Sequence, residues 1–330
     1  MSSRNFDKLR SIENISTTTG YCSDPTIGDS LDEIEEQDRW TDLQLACRDG
    51  DLATVECLLS DPLTSIDAPP TGWYGQNALQ AACAQGHASI VARLIAAGAD
   101  VNAAGDFNRP RTALQIAAVA GNIEIVDMLL AAGADFNVPA AKYNGRTALQ
   151  AASEGGHLAV IEKLLKIEAD VNAPGARYGG LTALQASCSP TSNIAAVRRL
   201  LATGADVNAP PSRYFGLTAL QNASLHGNLD IVNELLKHGA NVNAPGAYNG
   251  GGTALLAAAE YGYVEIVKRL IEAGAELGAV SGQKKQTALQ AAAANGHGEV
   301  FVLLGDAIEE NSTKTEQNLS SSLLTRMSSE

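Results

Sequence analysis

One short motif recurs along most of the chain at an almost constant interval. The tetrapeptide Thr-Ala-Leu-Gln and its close variants begin at Thr41, Asn77, Thr112, Thr147, Thr182, Thr218, Thr253 and Thr287. Successive copies are 36, 35, 35, 35, 36, 35 and 34 residues apart. A fixed period of this length is typical of architectures in which each unit packs only on its neighbours. We number the units one to eight by these starting residues.

Each repeat predicts two short helices joined by a glycine-containing turn. In repeat four, apolar residues recur with helical spacing over 147–154 and again over 158–167. Gly155 and Gly156 suit the left-handed residue that ends a helix. Helices this short are marginal alone, so each pair must bury its apolar face against the next pair. The sequence therefore predicts an all-α solenoid of about eight units.

The repeats resemble the ankyrin repeat. The family's Gly-His step occurs at Gly86-His87, Gly156-His157 and Gly296-His297, and its Gly-Ala-Asp-Val-Asn ending occurs at 98–102 and 204–208. The resemblance covers about residues 40–305 and implies helix-turn-helix-β-hairpin units whose usual function is to bind another protein.

Two features refine this resemblance. Glutamine stands where the family's opening motif usually has histidine, at Gln80, Gln115, Gln150, Gln185, Gln221 and Gln290. The Thr-Ala-Leu-Gln form with long hairpins resembles ankyrin arrays of filamentous fungi, including those at the C-terminus of NACHT-type, NLR-like receptors. The sequence has no GxxxxGK[ST] motif, so this chain lacks the nucleotide-binding element of such a receptor.

The two ends differ from the array in composition. Residues 1–39 are polar and then acidic, and Leu31, Ile34 and the adjoining Trp40 are available for a capping face. Residues 306–330 are polar and rich in Ser and Thr. We predict a disordered acidic N-terminal segment over 1–39, whose last part is either a capping helix or a flexible acidic lead-in. The array follows over 40–305, and a disordered C-terminal tail over 306–330.

Repeats four and five contain two irregularities. Glu168 stands where glycine closes the second helix of other repeats, and Pro190 interrupts the segment after the first helix of repeat five. A positive φ at Glu168 would cost about 1 kcal/mol. We expect the array to open first near residues 166–195.

Composition excludes several classes of partner. The net charge is −14 and the pI is near 4.8, whereas proteins that hold phosphates concentrate Lys and Arg. We therefore expect no direct nucleic-acid or membrane partner. No apolar N-terminal run or spanning segment is present. We expect a monomer in the cytoplasm, the nucleus or both.

The residue pattern does not indicate catalysis. A residue present in many copies serves the scaffold, whereas catalysis needs one constellation of groups. The five cysteines form no CxxC pair, and Cys47, Cys83 and Cys188 occupy a position where other repeats have Ala or Ser. The five histidines have no metal-ligand spacing. We expect no enzyme activity, metal site or cofactor.

Aromatic and basic residues cluster in the segments between the Asn-Ala-Pro sequence and the next motif. These segments are expected to form hairpin tips, and the candidate binding residues are Trp73, Tyr74, Phe107, Lys142, Tyr143, Arg177, Tyr178, Arg213, Tyr214 and Tyr248. The tyrosines either pack only on neighbouring hairpins or form an aromatic and cationic row for a partner, and the two roles are compatible. Tyr, Trp and Arg are common interface anchors. The row predicts a partner with an acidic contact strip.

These patterns predict a non-catalytic scaffold or adaptor that binds a protein on its concave hairpin and helix surface. One alternative is a transcription co-regulator that acts through a DNA-bound partner. Others are a detached recognition module of an NLR-like sensor and an ankyrin-type enzyme inhibitor.

Overall fold

The structure, a computed structural model, describes residues 40–69, 75–105, 111–141, 145–191, 193–213, 216–247 and 251–327, with side chains as far as 313. These residues contain sixteen helices, two in each repeat, and no extended strand. The first helices are α1 (Asp42–Asp49), α3 (Ala78–Gln85), α5 (Ala113–Ala120), α7 (Ala148–Glu154), α9 (Ala183–Ala186), α11 (Ala219–Leu225), α13 (Ala254–Tyr261) and α15 (Ala288–Asn295). The second helices are α2 (Leu52–Leu59), α4 (Ala88–Ala96), α6 (Ile123–Ala131), α8 (Leu158–Lys166), α10 (Ile194–Ala202), α12 (Leu229–Lys237), α14 (Val264–Glu272) and α16 (Gly298–Met327).

The motif residues fix where the first helices begin. In repeat three, the Thr112 hydroxyl accepts from the backbone N–H of Gln115, and the Gln115 side chain accepts from the backbone N–H of Thr112. This reciprocal pair is a capping box, and seven of the eight first helices in the described structure have one. Repeat seven, which has Leu256 in place of glutamine, lacks it.

Stacking of like helices on like helices buries the apolar faces. Each first helix contacts the first helix of the next repeat, and each second helix contacts the next second helix. In α6 the side chains of Ile125, Val126 and Leu129 are fully buried. The buried residues form one continuous core from Leu43 to Leu304. The all-helical solenoid predicted from the period is confirmed.

In repeats one to six the motif glutamine also connects the first helix to the hairpin segment that follows it. Gln150 is 1% exposed, and its Nε2 donates to the carbonyls of Ala173 at 2.9 Å and Pro174 at 3.2 Å. Corresponding bonds from Nε2 to the carbonyls 23 and 24 residues later are made by Gln221, and closely similar ones by Gln44 and Gln185. The glutamine therefore fixes both the start of the helix and the base of the hairpin.

Asparagines link neighbouring repeats from repeat two to repeat seven. The Asn208 Oδ1 accepts from the backbone N–H of Asn241 at 2.7 Å, and its Nδ2 donates to the Gly239 carbonyl at 3.0 Å. The Oδ1 bond is present at five successive junctions, from Asn102, Asn137, Asn172, Asn208 and Asn243. In the described structure Asn137 alone among these five makes no Nδ2 bond to the next repeat, and the residue opposite it is Glu168.

The irregularities predicted in repeats four and five are present. Glu168 has φ 63°, in the left-handed region that Gly98, Gly133, Gly204 and Gly239 occupy in other repeats. A residue with a Cβ is disfavoured there.

The first helix of repeat five, α9, is shortened to four residues. After it, the hydroxyls of Ser189 and Thr191 both donate to the Glu154 carbonyl. In repeats two, four and eight a histidine ring bonds the equivalent carbonyl of the preceding repeat. The two hydroxyls therefore replace the histidine that repeat five lacks.

The C-terminal segment differs from the predicted disordered tail. Helix α16 continues without interruption to Met327, so the predicted boundary at residue 305 falls inside it. Leu304 is buried and Ala307 and Ile308 pack against the core, which anchors the helix. No glycine or proline follows Gly305 to stop it. The acidic segment predicted over 1–39 lies outside the described residues.

Among the described residues, two buried side-chain hydroxyls lack hydrogen-bond partners. The Oγ atoms of Ser153 and Ser224 are fully buried without a partner, at the position where other repeats have Ala or Cys. An unsatisfied buried hydroxyl is destabilising. We expect Ser153→Ala to raise the free energy of unfolding by about 1 kcal/mol, measured by urea denaturation. The matched change Ser187→Ala should not stabilise, because the Ser187 hydroxyl donates to the Leu184 carbonyl; a gain there as well would contradict the explanation.

Candidate protein-binding surface

The structure describes three of the ten residues predicted to bind a partner. Arg177, Tyr178 and Arg213 lie in the segments between a second helix and the next first helix. The other seven lie outside the described residues: Trp73, Tyr74, Phe107, Lys142, Tyr143, Tyr214 and Tyr248. The register of the whole aromatic row therefore stays a prediction, and the tip of repeat four is the part of the row with both a described cation and a described ring.

The tip that carries Arg177 and Tyr178 is a tight five-residue turn. Its base is closed by the backbone N–H of Gly180, which donates to the Ala176 carbonyl at 3.1 Å. A Cβ on Gly180 would lie 1.9 Å from the Ala176 nitrogen, so the turn requires glycine. The same closing bond occurs at Gly145 and Gly251. The scaffold thus repeats the closing bond at three hairpins, and at 176–180 the turn places Arg177 and Tyr178 at the tip.

At the tip of repeat four a cation lies beside an aromatic ring. The Arg177 guanidinium carbon lies 5.8 Å from the centroid of the Tyr178 ring, within range of a cation–π interaction. Arg177 is exposed and Tyr178 is half-buried. Arg213 is also exposed in the following segment. Arg177 is thereby partly ordered while its charge remains accessible to solvent.

A further basic tip was missed in the sequence. Lys284 and Lys285 are exposed in a hairpin whose ends, Ser281 and Gln286, form an antiparallel bridge. Lys285 has φ 47°, a left-handed conformation unusual for lysine. Lys284 and Lys285 lie at nearly the same sequence position relative to Thr253 as Arg213 does relative to Thr182. They therefore occupy equivalent positions in their repeats. Counting cations by repeat position, without requiring a neighbouring tyrosine, would have found them.

The repeated histidines serve the scaffold. The His157 Nε2 lies 2.9 Å from the Val119 carbonyl of the preceding repeat. A Cβ on Gly121 would lie 2.3 Å from the same ring, so the glycine also makes room for it. Burial lowers the pKa of His226. The described part of the chain brings no three His, Cys, Asp or Glu side chains together in a group able to hold a metal ion.

The buried thiols are unsuited to nucleophilic chemistry. Cys47, Cys83 and Cys188 are fully buried, as the repeat position predicted. Desolvation raises the pKa of each to about 12. The reactive form of cysteine is the thiolate, which these groups do not provide near neutral pH.

No helix among the described residues combines the length and apolar character needed to cross a membrane.

Comparison with known proteins identifies the architecture. The family model described as ankyrin repeats in three copies matches four successive segments, residues 22–104, 103–175, 174–246 and 245–315. No curated protein matches the chain. Ankyrin repeats are generic modules for protein–protein interaction. With most of its length matched and eight stacked helix pairs, the chain belongs to the ankyrin-repeat family.

Proposed function

We propose that this chain is a non-catalytic adaptor that binds a protein through its hairpin tips and the adjoining first helices, and that the contacted strip of the partner is acidic. The observation that carries the proposal is the turn at 176–180, which is closed by a backbone bond and presents an exposed arginine over a tyrosine ring. Anchors of this kind bury much area with few rotatable bonds.

The charge of the tips supports an acidic partner. The exposed cations described at the tips are Arg177, Arg213, Lys284 and Lys285, in a chain whose net charge is −14. A local excess of positive charge in an acidic protein favours encounter with an oppositely charged surface and disfavours other acidic proteins. Because these charges are exposed, the attraction should weaken as salt is raised.

The decisive variant removes the described part of the row. We expect Arg177→Ala/Tyr178→Ala/Arg213→Ala to weaken binding of the purified partner by about tenfold or more, since interface anchors of these types each contribute on the order of 1 kcal/mol or more. Calorimetric titration at two salt concentrations measures this, with a partner first isolated by affinity capture. Thermal unfolding should be nearly unchanged.

A matched control removes the same charge elsewhere. Lys166 and Arg199 are exposed cations on two second helices, α8 and α10 respectively. Lys166→Ala/Arg199→Ala should leave the affinity within about twofold, because these residues lie away from the tips. If the triple variant loses stability and keeps its partner, the tips serve only packing.

The identity of the captured partner distinguishes the finer roles. A DNA-bound protein would favour a transcription co-regulator, and an enzyme whose activity falls on binding would favour an inhibitor. A component of an NLR-like system would favour a detached recognition module, in line with the resemblance to fungal arrays. For each role we propose a monomer that acts in the cytoplasm or nucleus.

A further inference from the structure

An open notch lies between the last two hairpin segments of the array. Its volume is about 460 Å³, and its lining includes Gly246, Gly251, Glu276, Ala279, Val280 and Lys285. The Val280 side chain is 63% exposed at this notch. The notch belongs to repeat seven, the repeat whose motif ends in Leu256 instead of glutamine.

Only half of the missing glutamine's role is filled. In the other repeats the glutamine oxygen accepts from the backbone N–H of the first motif residue; in repeat seven the Thr253 N–H donates instead to the Ser281 Oγ at 3.1 Å. The second half of the role, donation to two hairpin carbonyls, has no substitute. Gln150 and Gln221 donate to the carbonyls 23 and 24 residues later, and the same offset from Leu256 leads to the carbonyls of Ala279 and Val280. No described residue donates to either of these two carbonyls.

The interior of the repeat cannot supply this donor. Leu256 is 4% exposed. Its Cδ2 lies close to the backbone of two glycines: a Cβ on Gly252 would be 2.7 Å from it, and a Cβ on Gly282 would be 2.8 Å from it. An apolar methyl group therefore packs on the inner side of the hairpin base. The Ala279 and Val280 carbonyls are therefore open to a donor only from the side of the notch, where water or a group of a partner can reach them.

We infer that the notch is a subsite for a primary carboxamide, the side chain of a glutamine or asparagine on the partner. Six other repeats, one to six, bond backbone carbonyls in or after the hairpin with a carboxamide of the chain's own, at 2.9 to 3.4 Å. The incoming amide nitrogen would donate to the carbonyls of Ala279 and Val280. Its oxygen would accept from the Lys285 ammonium group, which also lines the notch.

The charges around the notch favour an amide over an ion. Glu276 and Lys285 both line the notch. A carboxylate could not donate to the carbonyls and would face Glu276, whereas a purely apolar side chain would leave both carbonyls without a donor. The inference rests on the proposed function, because the carboxamide is taken to belong to a protein bound at the hairpin edge.

The test uses three capped tripeptides as probes on the full chain. Ala-Gln-Ala, Ala-Leu-Ala and Ala-Glu-Ala carry an N-terminal acetyl group and a C-terminal N-methylamide, so that glutamine supplies the sole primary amide. Backbone amide shifts in NMR spectra are followed during titration. We expect saturable shifts at Ala279, Val280 and Ser281 with the glutamine peptide, and at least tenfold weaker binding of the other two.

Leu256→Gln provides an independent arm. The new side chain should occupy the carbonyls as in other repeats and weaken binding of the glutamine peptide at least tenfold, without lowering thermal stability. The matched variant Leu256→Met supplies no donor and should bind like the wild type. Equal or tighter binding of the leucine or glutamate peptide would overturn the inference, whether or not Leu256→Gln folds.

The two proposals fail in different ways. If the tripeptides bind as expected but the tip variant keeps its full affinity for the protein partner, the tip-based function is wrong and the subsite stands. If the tip variant loses its partner while the glutamine peptide shows no preference over the others, the subsite is wrong and the proposed function stands.

Discussion

Replacing Gln150 with leucine is expected to lower the free energy of unfolding by about 3 kcal/mol. Gln150 is 1% exposed and bonds three backbone groups: its Oε1 accepts from the Thr147 N–H at 3.0 Å, and its Nε2 donates to two hairpin carbonyls. Leucine fills a similar volume but bonds none of them. A buried polar group left without a partner costs about 1–3 kcal/mol. Because the surrounding structure relaxes, the total loss should be smaller than the sum over the three groups. Urea denaturation with circular dichroism measures the loss.

The last repeat supplies the matched control. Gln290 makes the same capping bond to the Thr287 N–H at 3.0 Å, but it is exposed in the structure. Water can satisfy the groups that Gln290→Leu releases, so that variant should lose less than about 1 kcal/mol. Similar losses at both positions would show that helix propensity, and not the buried bonds, sets the cost. Repeat seven tolerates Leu256 because Ser281 satisfies Thr253, whereas the hairpin after Gln150 has Gly175 at the position of Ser281.

The motif spacing was sufficient to predict the fold. A constant step between Thr-Ala-Leu-Gln copies places equivalent residues in equivalent environments, so the helix pairs and the buried Cys47 follow from the pattern alone. The left-handed backbone at Glu168 was predictable for the same reason. Each of these features depends on local sequence or on the repeat position, which is why one sequence was enough.

Features that depend on contacts across the period were not predictable. The sequence showed that the scaffold needs the motif glutamine, but not that its amide bonds carbonyls 23 and 24 residues later. In repeat seven the Ser281 Oγ takes the place of the glutamine oxygen as acceptor for the Thr253 N–H. This bond joins residues 28 apart and follows no sequence motif. Helix α16 was missed because polar composition predicted disorder, whereas anchoring by Leu304 and Ile308 depends on packing against the preceding repeat.

For the binding surface, the sequence predicts residue types and their register within each repeat, and the register stays a prediction. The structure adds the closing bond at Gly180 and the position of Arg177 over Tyr178. The basic tip at Lys284 and Lys285 was missed because its hairpin has no tyrosine. The subsite beside Val280 arises from a glutamine that is missing, and only comparison of equivalent bonds in several repeats exposes such a gap.

Amide hydrogen exchange is expected to be fastest, among interior repeats, over residues 166–195. Three features weaken this junction: Glu168 has φ 63°, α9 has four residues, and Asn137 lacks the second bond that other junction asparagines make. Repeat arrays open locally because each unit contacts only its neighbours. Each lost kcal/mol of local stability speeds exchange through opening about fivefold, so we expect rates about tenfold above those of the equivalent amides in repeats two and six.

Two reciprocal variants test whether the backbone at Glu168 contributes. Glu168→Gly should slow exchange over 166–195 by a few-fold, because glycine adopts the left-handed conformation without strain, although its greater freedom in the unfolded chain offsets part of the gain. Gly133→Glu places the same side chain in the same conformation one repeat earlier, where φ is 88° and a Cβ would meet no atom within 4 Å. Its cost is therefore conformational, about 1 kcal/mol, and it should create a second fast-exchanging junction between repeats three and four. Uniform protection across the interior repeats, or a Gly133→Glu variant with unchanged exchange, would mean that stacking of the second helices outweighs the strain at this position.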